Sequence, residues 1–351
     1  MAYTTIDDPS AYFHTQLYTG NGSSGLSITN DANAGDFQAD WLWIKPRSAS
    51  DNNVVFDSSR GEDKQLKTNG TDAEDTHSPA RVTFESDGFD LDTTDGNYNG
   101  NGTTYVAWQW KANGGTTTTN SNGNIDTTVQ ANTTAGFSIA QWEGANSTAT
   151  LGHGLGAVPE LIISKCIDTS QEWGVYHKDV GNDDYLHLNE SAAEQDNAAY
   201  WNDTTPTSTV WSVGNSGPTN DNGDTMIAYV FTPIQGFSKF GTYTGNGVNP
   251  GTFVHTGFKP RLVIIKNFSR ASTNWIMCPG TIDTLNPVND LFEINNSDAA
   301  DTAIVDIDFY SNGFTQRGTG HPVNTSGDTY VYMAWAEEPF VTSTGIPGTA
   351  R

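Results

Sequence analysis

The sequence predicts an all-β protein made of three tandem, related, antiparallel β-sandwich domains of the jelly-roll kind. Three observations lead to this prediction. A segment of about one hundred residues recurs three times. Apolar residues within it alternate with a period of two, and turn-forming residues separate the apolar runs. Such alternation is typical of half-buried strands, and roughly six or seven short strands in a segment of this length are typical of a sandwich.

The closing segment of the repeat is conserved most clearly between the copies. Gly-Thr-Thr-Tyr-Val-Ala-Trp-Gln-Trp at 102–110 recurs as Gly-Asp-Thr-Met-Ile-Ala-Tyr-Val-Phe at 223–231 and as Gly-Asp-Thr-Tyr-Val-Tyr-Met-Ala-Trp at 327–335. An Asn stands three residues before each Gly, at Asn99, Asn220 and Asn324. Asn and Gly tolerate turn conformations, so we expect these Asn residues to shape the turn before a closing strand.

A second landmark is an apolar run that ends in lysine, at Lys45, Lys165 and Lys266. These runs are apolar without alternation, which predicts a strand covered on both faces. The spacing between successive lysines matches the spacing between successive closing segments to within about three residues, which supports a true repeat. A third landmark is an Asn that stands three residues after a Leu or Phe: Asn69 after Leu66, Asn189 after Leu186 and Asn295 after Phe292.

These landmarks divide the chain into an arm, three repeats, a linker and a tail. The predicted boundaries are an N-terminal arm at 1–12, repeat 1 at 13–110, a Thr/Asn/Gly-rich linker at 111–135, repeat 2 at 136–231, repeat 3 at 236–340 and a C-terminal tail at 341–351. The polar composition of the linker predicts flexibility, whereas the short connection from 232 to 236 predicts close packing of repeats 2 and 3.

Two arrangements of the repeats are consistent with their length. A sandwich of about one hundred residues can bury a core of its own, so each repeat could fold alone. The alternative is one large closed β-structure with pseudo-threefold symmetry. A flexible linker after repeat 1 favours separate domains.

Composition excludes several classes of function. The 351 residues contain 41 Asp and Glu against 16 Lys and Arg, a formal net charge of −25. Nucleic acids and anionic membrane surfaces require basic patches, and the sequence has no Lys/Arg cluster. No run approaches the roughly 20 apolar residues that span a bilayer. The first residues lack a basic segment followed by an apolar one, so no signal peptide is expected.

Residues with catalytic or metal-binding potential form no recognisable motif. The seven His are scattered, including His153, His255 and His321, and no Ser stands in a nucleophile elbow. Carboxylate pairs such as Asp183–Asp184 arise freely in an acidic chain. We therefore predict no catalytic residues, no metal ligands and no cofactor. Calcium in the Asp-rich loops at 87–92 and 221–224 is left open.

The two cysteines, Cys166 and Cys278, fall in different repeats. Two buried free thiols are expected, although a disulfide is not ruled out by the spacing.

Aromatic residues outside the repeated strands are the candidates for glycan binding, since a ring can stack on a sugar face. They are Tyr185, Tyr200, Trp201 and Trp211, all in repeat 2. Tyr200 and Trp201 have no counterpart in repeat 3 and are the better candidates. Trp173 and Trp275 occupy equivalent positions, which favours a core role for both.

Several motifs resemble a tandem domain of marine bacteriophage tail, fibre and other virion proteins. They are Gly-Phe-Ser at 136–138 and 236–238, Gly-His-Gly-Leu-Gly at 152–156 followed by Val158 and Pro159, Tyr-Thr-Gly-Asn-Gly at 243–247, and the segments 309–314 and 329–340. The opening Ala-Tyr-Thr-Thr-Ile-Asp-Asp-Pro at 2–9 also resembles the start of such phage proteins.

The resemblance implies a non-enzymatic virion structural protein with lectin-like sandwiches. It would be made in the host cytoplasm and lie on the virion surface, as a tail or fibre-type appendage that contacts the host or its glycans. Its partners would be other virion proteins, copies of itself in a homo-oligomer such as a trimer, and a host-surface glycan. The alternatives are an architectural capsid decoration or tail scaffold protein without a ligand, and a polysaccharide depolymerase.

Overall fold

Antiparallel strands build all three repeats, as the alternation pattern predicts. A computed structural model of the chain describes residues 2–31, 35–302, 305–320 and 322–349. Strands hold 41% of the residues and helices 4%, in several antiparallel sheets. The predicted all-β sandwich fold is therefore confirmed.

Repeat 1 folds into two facing sheets. Its elements are a 3-10 turn (Pro9–Ala11), β1 (Phe13–Thr19), β2 (Leu26–Ile28), β3 (Trp41–Pro46), β4 (Val54–Asp57), β5 (Lys64–Lys67), β6 (Asp75–Thr76), β7 (Val82–Phe84), β8 (Phe89–Leu91), α1 (Gly96–Asn99) and β9 (Thr104–Trp110). The large sheet has the order β1-β9-β3-β4-β5-β6, and the small sheet has the order β2-β8-β7.

Repeat 2 has the same plan with a larger sheet. Its elements, including two strands that precede residue 136, are β10 (Thr118–Asn120), β11 (Thr127–Asn132), β12 (Phe137–Glu143), β13 (Ala149–Gly152), β14 (Leu161–Cys166), β15 (Gly174–His177), β16 (Asp184–His187), β17 (Gln195–Asp196), α2 (Ala198–Trp201), β18 (Val210–Val213), α3 (Gly217–Asn220) and β19 (Thr225–Phe231). The large sheet has the order β10-β11-β12-β19-β14-β15-β16-β17, and β13 pairs with β18 in the small sheet.

Repeat 3 completes the series. Its elements are β20 (Ser238–Thr244), β21 (Val254–His255), β22 (Phe258–Asn267), β23 (Ile276–Pro279), β24 (Phe292–Glu293), β25 (Ile307–Tyr310), β26 (Gly313–Gln316) and β27 (Thr329–Pro339). The sheets have the orders β20-β27-β22-β23-β24 and β21-β26-β25. In every repeat the closing strand therefore pairs with the opening strand on one side and with the apolar strand on the other.

The lack of alternation in the apolar strands reflects two separate cores. In β3, Leu42 and Ile44 face the core between the two sheets of repeat 1. Trp41 and Trp43, which point the opposite way, belong to a second core that also contains residues of repeats 2 and 3. Repeats 2 and 3 likewise have cores of their own. The outer faces of the three large sheets thus pack on one another.

Equivalent hydrogen bonds close the three repeats into a ring. One backbone hydrogen bond lies at the equivalent position of each junction. The three are Glu74 N to Ile167 O at 2.8 Å, Glu194 N to Phe268 O at 2.9 Å, and Ala300 N to Arg47 O at 3.1 Å. Repeat 1 thus contacts repeat 2, repeat 2 contacts repeat 3, and repeat 3 contacts repeat 1. The structure has the closed arrangement with threefold internal repetition, although each repeat is still a sandwich.

The segment from 111 to 135 is not a flexible linker, so that prediction is wrong. It contains β10 and β11. Strand β11 pairs with β12 from Thr128, which lies opposite Gln141, to Asn132, which lies opposite Phe137. The buried Asp40 carboxylate accepts backbone N–H groups of Ala112, Gly114 and Gly115 at 2.6–3.0 Å. Composition suggested mobility because tertiary hydrogen bonds of this kind leave no local sequence pattern.

Removing the Asp40 carboxylate is expected to destabilise this junction. In Asp40→Ala, the buried N–H of Ala112, the N–H groups of Gly114 and Gly115 and the Ser58 hydroxyl lose this carboxylate as an acceptor, which should lower the free energy of unfolding by about 3 kcal/mol. Urea denaturation followed by fluorescence measures the change. The exposed neighbour Asp36 provides the control, because Asp36→Ala should shift stability by less than about 0.5 kcal/mol. Equal effects of the two changes would contradict the role of Asp40.

The recurring Asn residues before the closing strands have the structural role that was predicted. Each side-chain oxygen accepts the N–H of a residue in the opening turn at 2.9 Å; the pairs are Asn99 with Asn21, Asn220 with Ala145 and Asn324 with Asn246. Each side-chain amide also donates to backbone carbonyls nearby. These contacts join the two ends of every repeat.

The three landmark lysines are fully buried rather than surface-exposed. Each ammonium group donates to a backbone carbonyl: Lys45 to Asp51 at 2.7 Å, Lys165 to Cys166 at 2.6 Å and Lys266 to Thr273 at 2.6 Å. Burial lowers the pKa of Lys45 and Lys165 to about 8 and that of Lys266 to about 7. The lysines therefore belong to the interior scaffold of the repeats.

Candidate functional site

The four aromatic residues predicted to bind glycans are buried, so that prediction is wrong. Tyr185 is 8% exposed, Tyr200 5%, Trp201 2% and Trp211 1%. Helix α2 turns Tyr200 and Trp201 into the sandwich of repeat 2, where Trp201 packs on Tyr176 with ring centroids 5.8 Å apart. Strand β18 directs Trp211 onto Trp142. None of these rings presents a face on which a sugar could stack.

Two other aromatic side chains are exposed, and they lie together in repeat 3. Phe253 is 48% exposed and Tyr310 is 36% exposed, and their ring centroids are 5.9 Å apart. They line a groove of about 420 Å³ at the surface. Among the described residues, no other aromatic side chain is as exposed as these two. The groove is therefore the best candidate surface for stacking on a ligand.

The hairpin between β25 and β26 builds one wall of this groove. It turns at Ser311 and Asn312, and the following Gly313 pairs with His255 of β21. A Cβ atom at Gly313 would lie 2.1 Å from the Val254 carbonyl oxygen and 2.9 Å from the Phe253 ring, so only glycine allows this approach. The position of Phe253 beside Tyr310 thus depends on a glycine contact.

Polar groups surround the two rings. Ser311, Asn312 and Thr315 line the groove with Pro250 and Gly251. Next to it, Arg317 donates through Nε to an Asp308 carboxylate oxygen at 2.7 Å. Aromatic faces with hydroxyl and amide groups at their edge match the alternating apolar and polar faces of a sugar.

A second candidate is a cluster of metal-ligating side chains in repeat 2. Glu172, His187 and Glu190 place one ligand atom each within 4.8 Å of the others, and all three are half-buried. The Nδ1 atom of His187 lies 2.8 Å from a Glu190 carboxylate oxygen. Its Nε2 atom lies 2.7 Å from the Tyr200 hydroxyl. Glu172 accepts a short hydrogen bond from the Asn189 side-chain amide.

A further group, Cys166 with Asp221 and Asp224, is a weaker metal site. Burial raises the pKa of the Cys166 thiol, which therefore stays protonated, whereas metals bind the thiolate. The thiol donates to Asp224 at 3.4 Å. Cys166 and Cys278 are both free and buried, in the cores of different repeats, which confirms the expectation of two free thiols.

One family model matches almost the whole chain. It is described as a domain of unknown function (DUF7483), and the match covers residues 8–339. The chain belongs to the DUF7483 family. No curated protein and no solved structure matches it.

The DUF7483 match spans all three repeats, the aromatic groove and the Glu172–His187–Glu190 cluster. Sequence reasoning missed both sites. Phe253 follows a Pro-Gly dipeptide, Pro250–Gly251, that does not occur in the opening turns of repeats 1 and 2, and this was the available signal for the groove. The cluster joins His187 at the end of β16 with Glu172 in the loop before β15 and Glu190 after the turn that follows β16, and no metal-binding motif marks it.

The histidines at comparable places in repeats 2 and 3 differ in exposure. His153 is buried with Nε2 3.2 Å from the Thr207 carbonyl, and His255 is exposed in β21. His321 lies outside the described residues. Among the residues that the structure does describe, no helix is long and apolar enough to cross a membrane.

Proposed function

We propose that this DUF7483 protein is a non-enzymatic structural component of a bacteriophage virion that binds a host-surface glycan through the groove at Phe253 and Tyr310. The observation that carries the glycan part is the exposed pair of rings. Nearly all other described aromatic residues are used in the four cores. Exposing two adjacent rings gives up their burial, and such exposure is typical of binding surfaces.

The fold supports the structural part of the proposal. Ring closure and the shared core join the three repeats into one body, which suits a component that must hold a binding surface in a fixed place. The sequence motifs that resemble phage virion proteins support the location on the particle. A net charge of −25 keeps such a surface soluble and is screened at high ionic strength.

A single groove of this size would bind weakly. Several grooves on one particle would engage a repeating polysaccharide together, so avidity would supply the retention that one site lacks. A homo-oligomer, other virion proteins as neighbours and a position on the virion surface therefore belong to the proposal. Light scattering of the purified chain tests the homo-oligomer, and antibody labelling of particles tests the position on the virion surface.

Removing one ring should weaken glycan binding. Phe253→Ala is expected to raise the dissociation constant for a host-envelope polysaccharide about tenfold, because a stacked ring contributes roughly 1 kcal/mol or more. Surface plasmon resonance on immobilised polysaccharide measures the change. Val158→Ala removes an exposed apolar side chain of repeat 2 and serves as the control, with no expected change.

The outcomes separate the alternatives. Absence of binding to host cells and their glycans by the wild-type chain would reject the adhesive function and leave the architectural role on capsid or tail. Release of reducing sugars from the same polysaccharide would contradict the non-enzymatic part and favour a depolymerase.

A further inference from the structure

The three repeats provide a comparison within one chain for the Glu172–His187–Glu190 cluster. Its scaffold recurs around Asn69, Asn189 and Asn295. In each repeat the oxygen of this Asn accepts a backbone N–H at 2.9–3.0 Å; the donors are Asn53, Trp173 and Trp275. The side-chain amide of the same Asn donates to the side chain of the residue that precedes this backbone donor, namely Asn52, Glu172 or Asn274. This local hydrogen bonding is therefore common to all three repeats.

The side chains placed on this scaffold differ between the repeats. Where repeat 2 has Glu172, repeats 1 and 3 have Asn52 and Asn274, which accept the same amide hydrogen bond at 2.9 and 2.8 Å. The positions of His187 and Glu190 are Lys67 and Gly70 in repeat 1 and Glu293 and Asn296 in repeat 3. Different side chains occupy all three positions there, and the same turn still forms, so it does not require Glu172, His187 or Glu190.

The imidazole of His187 is held in one orientation. Its Nε2 atom contacts the Tyr200 hydroxyl, and the Tyr200 ring stacks on Tyr185 with centroids 3.6 Å apart. The Tyr185 hydroxyl in turn donates to Gln195. A metal-ligating His characteristically has its second nitrogen fixed in this way. Without an ion, Nδ1 donates to the Glu190 carboxylate and Nε2 accepts from the Tyr200 hydroxyl; with the proton on Nε2, which then donates to Tyr200, the Nδ1 lone pair can bind an ion.

The cluster also lies at a junction of the ring. The indole Nε1 of Trp275 in repeat 3 donates to the His187 carbonyl at 2.8 Å. An ion held by His187 and two carboxylates of repeat 2 would therefore stabilise the surface on which repeat 3 packs. It would also neutralise two carboxylates that converge within 4.8 Å in a strongly acidic chain.

We propose that Glu172, His187 and Glu190 bind one divalent transition-metal ion of the Zn²⁺ class per chain. One imidazole nitrogen and two carboxylate oxygens are a ligand set suited to zinc, and water would complete a four-coordinate site. Calcium and magnesium prefer oxygen ligands alone, so they should bind more weakly than zinc. Tyr200 is a positioning residue for His187 and contacts no ion itself.

Calorimetric titration of the full chain with ZnCl₂, after removal of metals with a chelator, tests this proposal. The wild type should bind one equivalent, and Co²⁺ in its place should give visible absorption bands. Glu172→Asn introduces the residue that repeat 3 carries at this position, so the fold should be kept. We expect its zinc affinity to fall at least tenfold. Glu143→Asn, an exposed change in the same repeat, is the matched control and should bind like the wild type.

Two further variants keep the test decisive. Glu190→Gln alters a side chain that is 38% exposed, so it should fold even if Glu172→Asn does not, and it too should lose at least tenfold in affinity. Tyr200→Phe should weaken binding about tenfold through His187 while leaving the stoichiometry at one. Absence of one-to-one zinc binding, equal affinity in Glu190→Gln, or tighter binding of Ca²⁺ than of Zn²⁺ would overturn the proposal. None of these outcomes bears on the glycan groove.

Discussion

Replacing Trp335 with Ala should lower the free energy of unfolding by about 4 kcal/mol, the loss typical of a fully buried tryptophan. Trp335 is 2% exposed and contacts rings of every repeat. The ring centroids lie 5.9 Å away for Phe13 and 5.3 Å away for Trp110 of repeat 1, and 5.5 Å away for Phe231 of repeat 2. The cavity would thus open in the core that all three repeats share.

The form of the unfolding curve is as informative as its midpoint. Because the shared core couples the repeats, Trp335→Ala should shift a single cooperative transition, monitored by near-ultraviolet circular dichroism in guanidinium chloride. Tyr310→Ala removes an exposed ring of repeat 3 and should change stability by less than about 0.5 kcal/mol. A curve with separate steps, of which only one responds to Trp335→Ala, would show that the repeats unfold independently.

The second large effect is expected at the junction of repeats 1 and 2, where Asp57 and Arg60 form a buried ion pair. Their side chains are 0% and 1% exposed, and the Tyr229 hydroxyl of repeat 2 donates to Asp57 at 2.8 Å. Burial raises the pKa of Tyr229 well above its usual value, so this hydroxyl remains a donor. In Asp57→Ala, Arg60 would keep the Glu74 carboxylate at 3.1 Å as its ion-pair partner and the Val55 carbonyl at 3.5 Å.

We therefore expect Asp57→Ala to cost about 3–5 kcal/mol of unfolding free energy, since it leaves a buried charge without its closest partner. Thermal and urea denaturation measure the loss. Combining it with Arg60→Met should recover part of the stability, because the uncompensated charge is then removed. Asp72→Ala breaks the exposed pair with Lys67, where Asp72 is 63% exposed, and should cost less than about 0.5 kcal/mol. If Asp57→Ala also cost less than about 0.5 kcal/mol, the importance of the Asp57–Arg60 ion pair would be contradicted.

Periodicity predicted the strands well because it records which faces are buried. The runs before Lys45, Lys165 and Lys266 were correctly expected to be covered on both faces, and each is entirely buried. The identity of the covering partner is a tertiary property, however. Nothing in Trp41 or Trp43 distinguishes a second sheet of the same repeat from the sheet of another, so separate domains were favoured over the closed ring.

The candidate sites were harder to predict, for two different reasons. Tyr200 and Trp201 lack counterparts in repeat 3, which suggested exposure, yet a four-residue helix is enough to turn both rings inward. The pairing of Phe253 with Tyr310 depends instead on strands β21, β25 and β26 coming together from distant parts of repeat 3. Side chains that meet only through sheet pairing give no local motif.

Ring closure within one polypeptide has an evolutionary consequence that a ring of identical subunits would not have. In a homotrimer, a substitution appears three times and must be tolerated at every junction. Here each junction is encoded separately, so Asp57 can form an ion pair at one place while His177 and Pro279 occupy the matching positions elsewhere. The chain can therefore keep one architecture while each of its three repeats carries side chains that the other two lack.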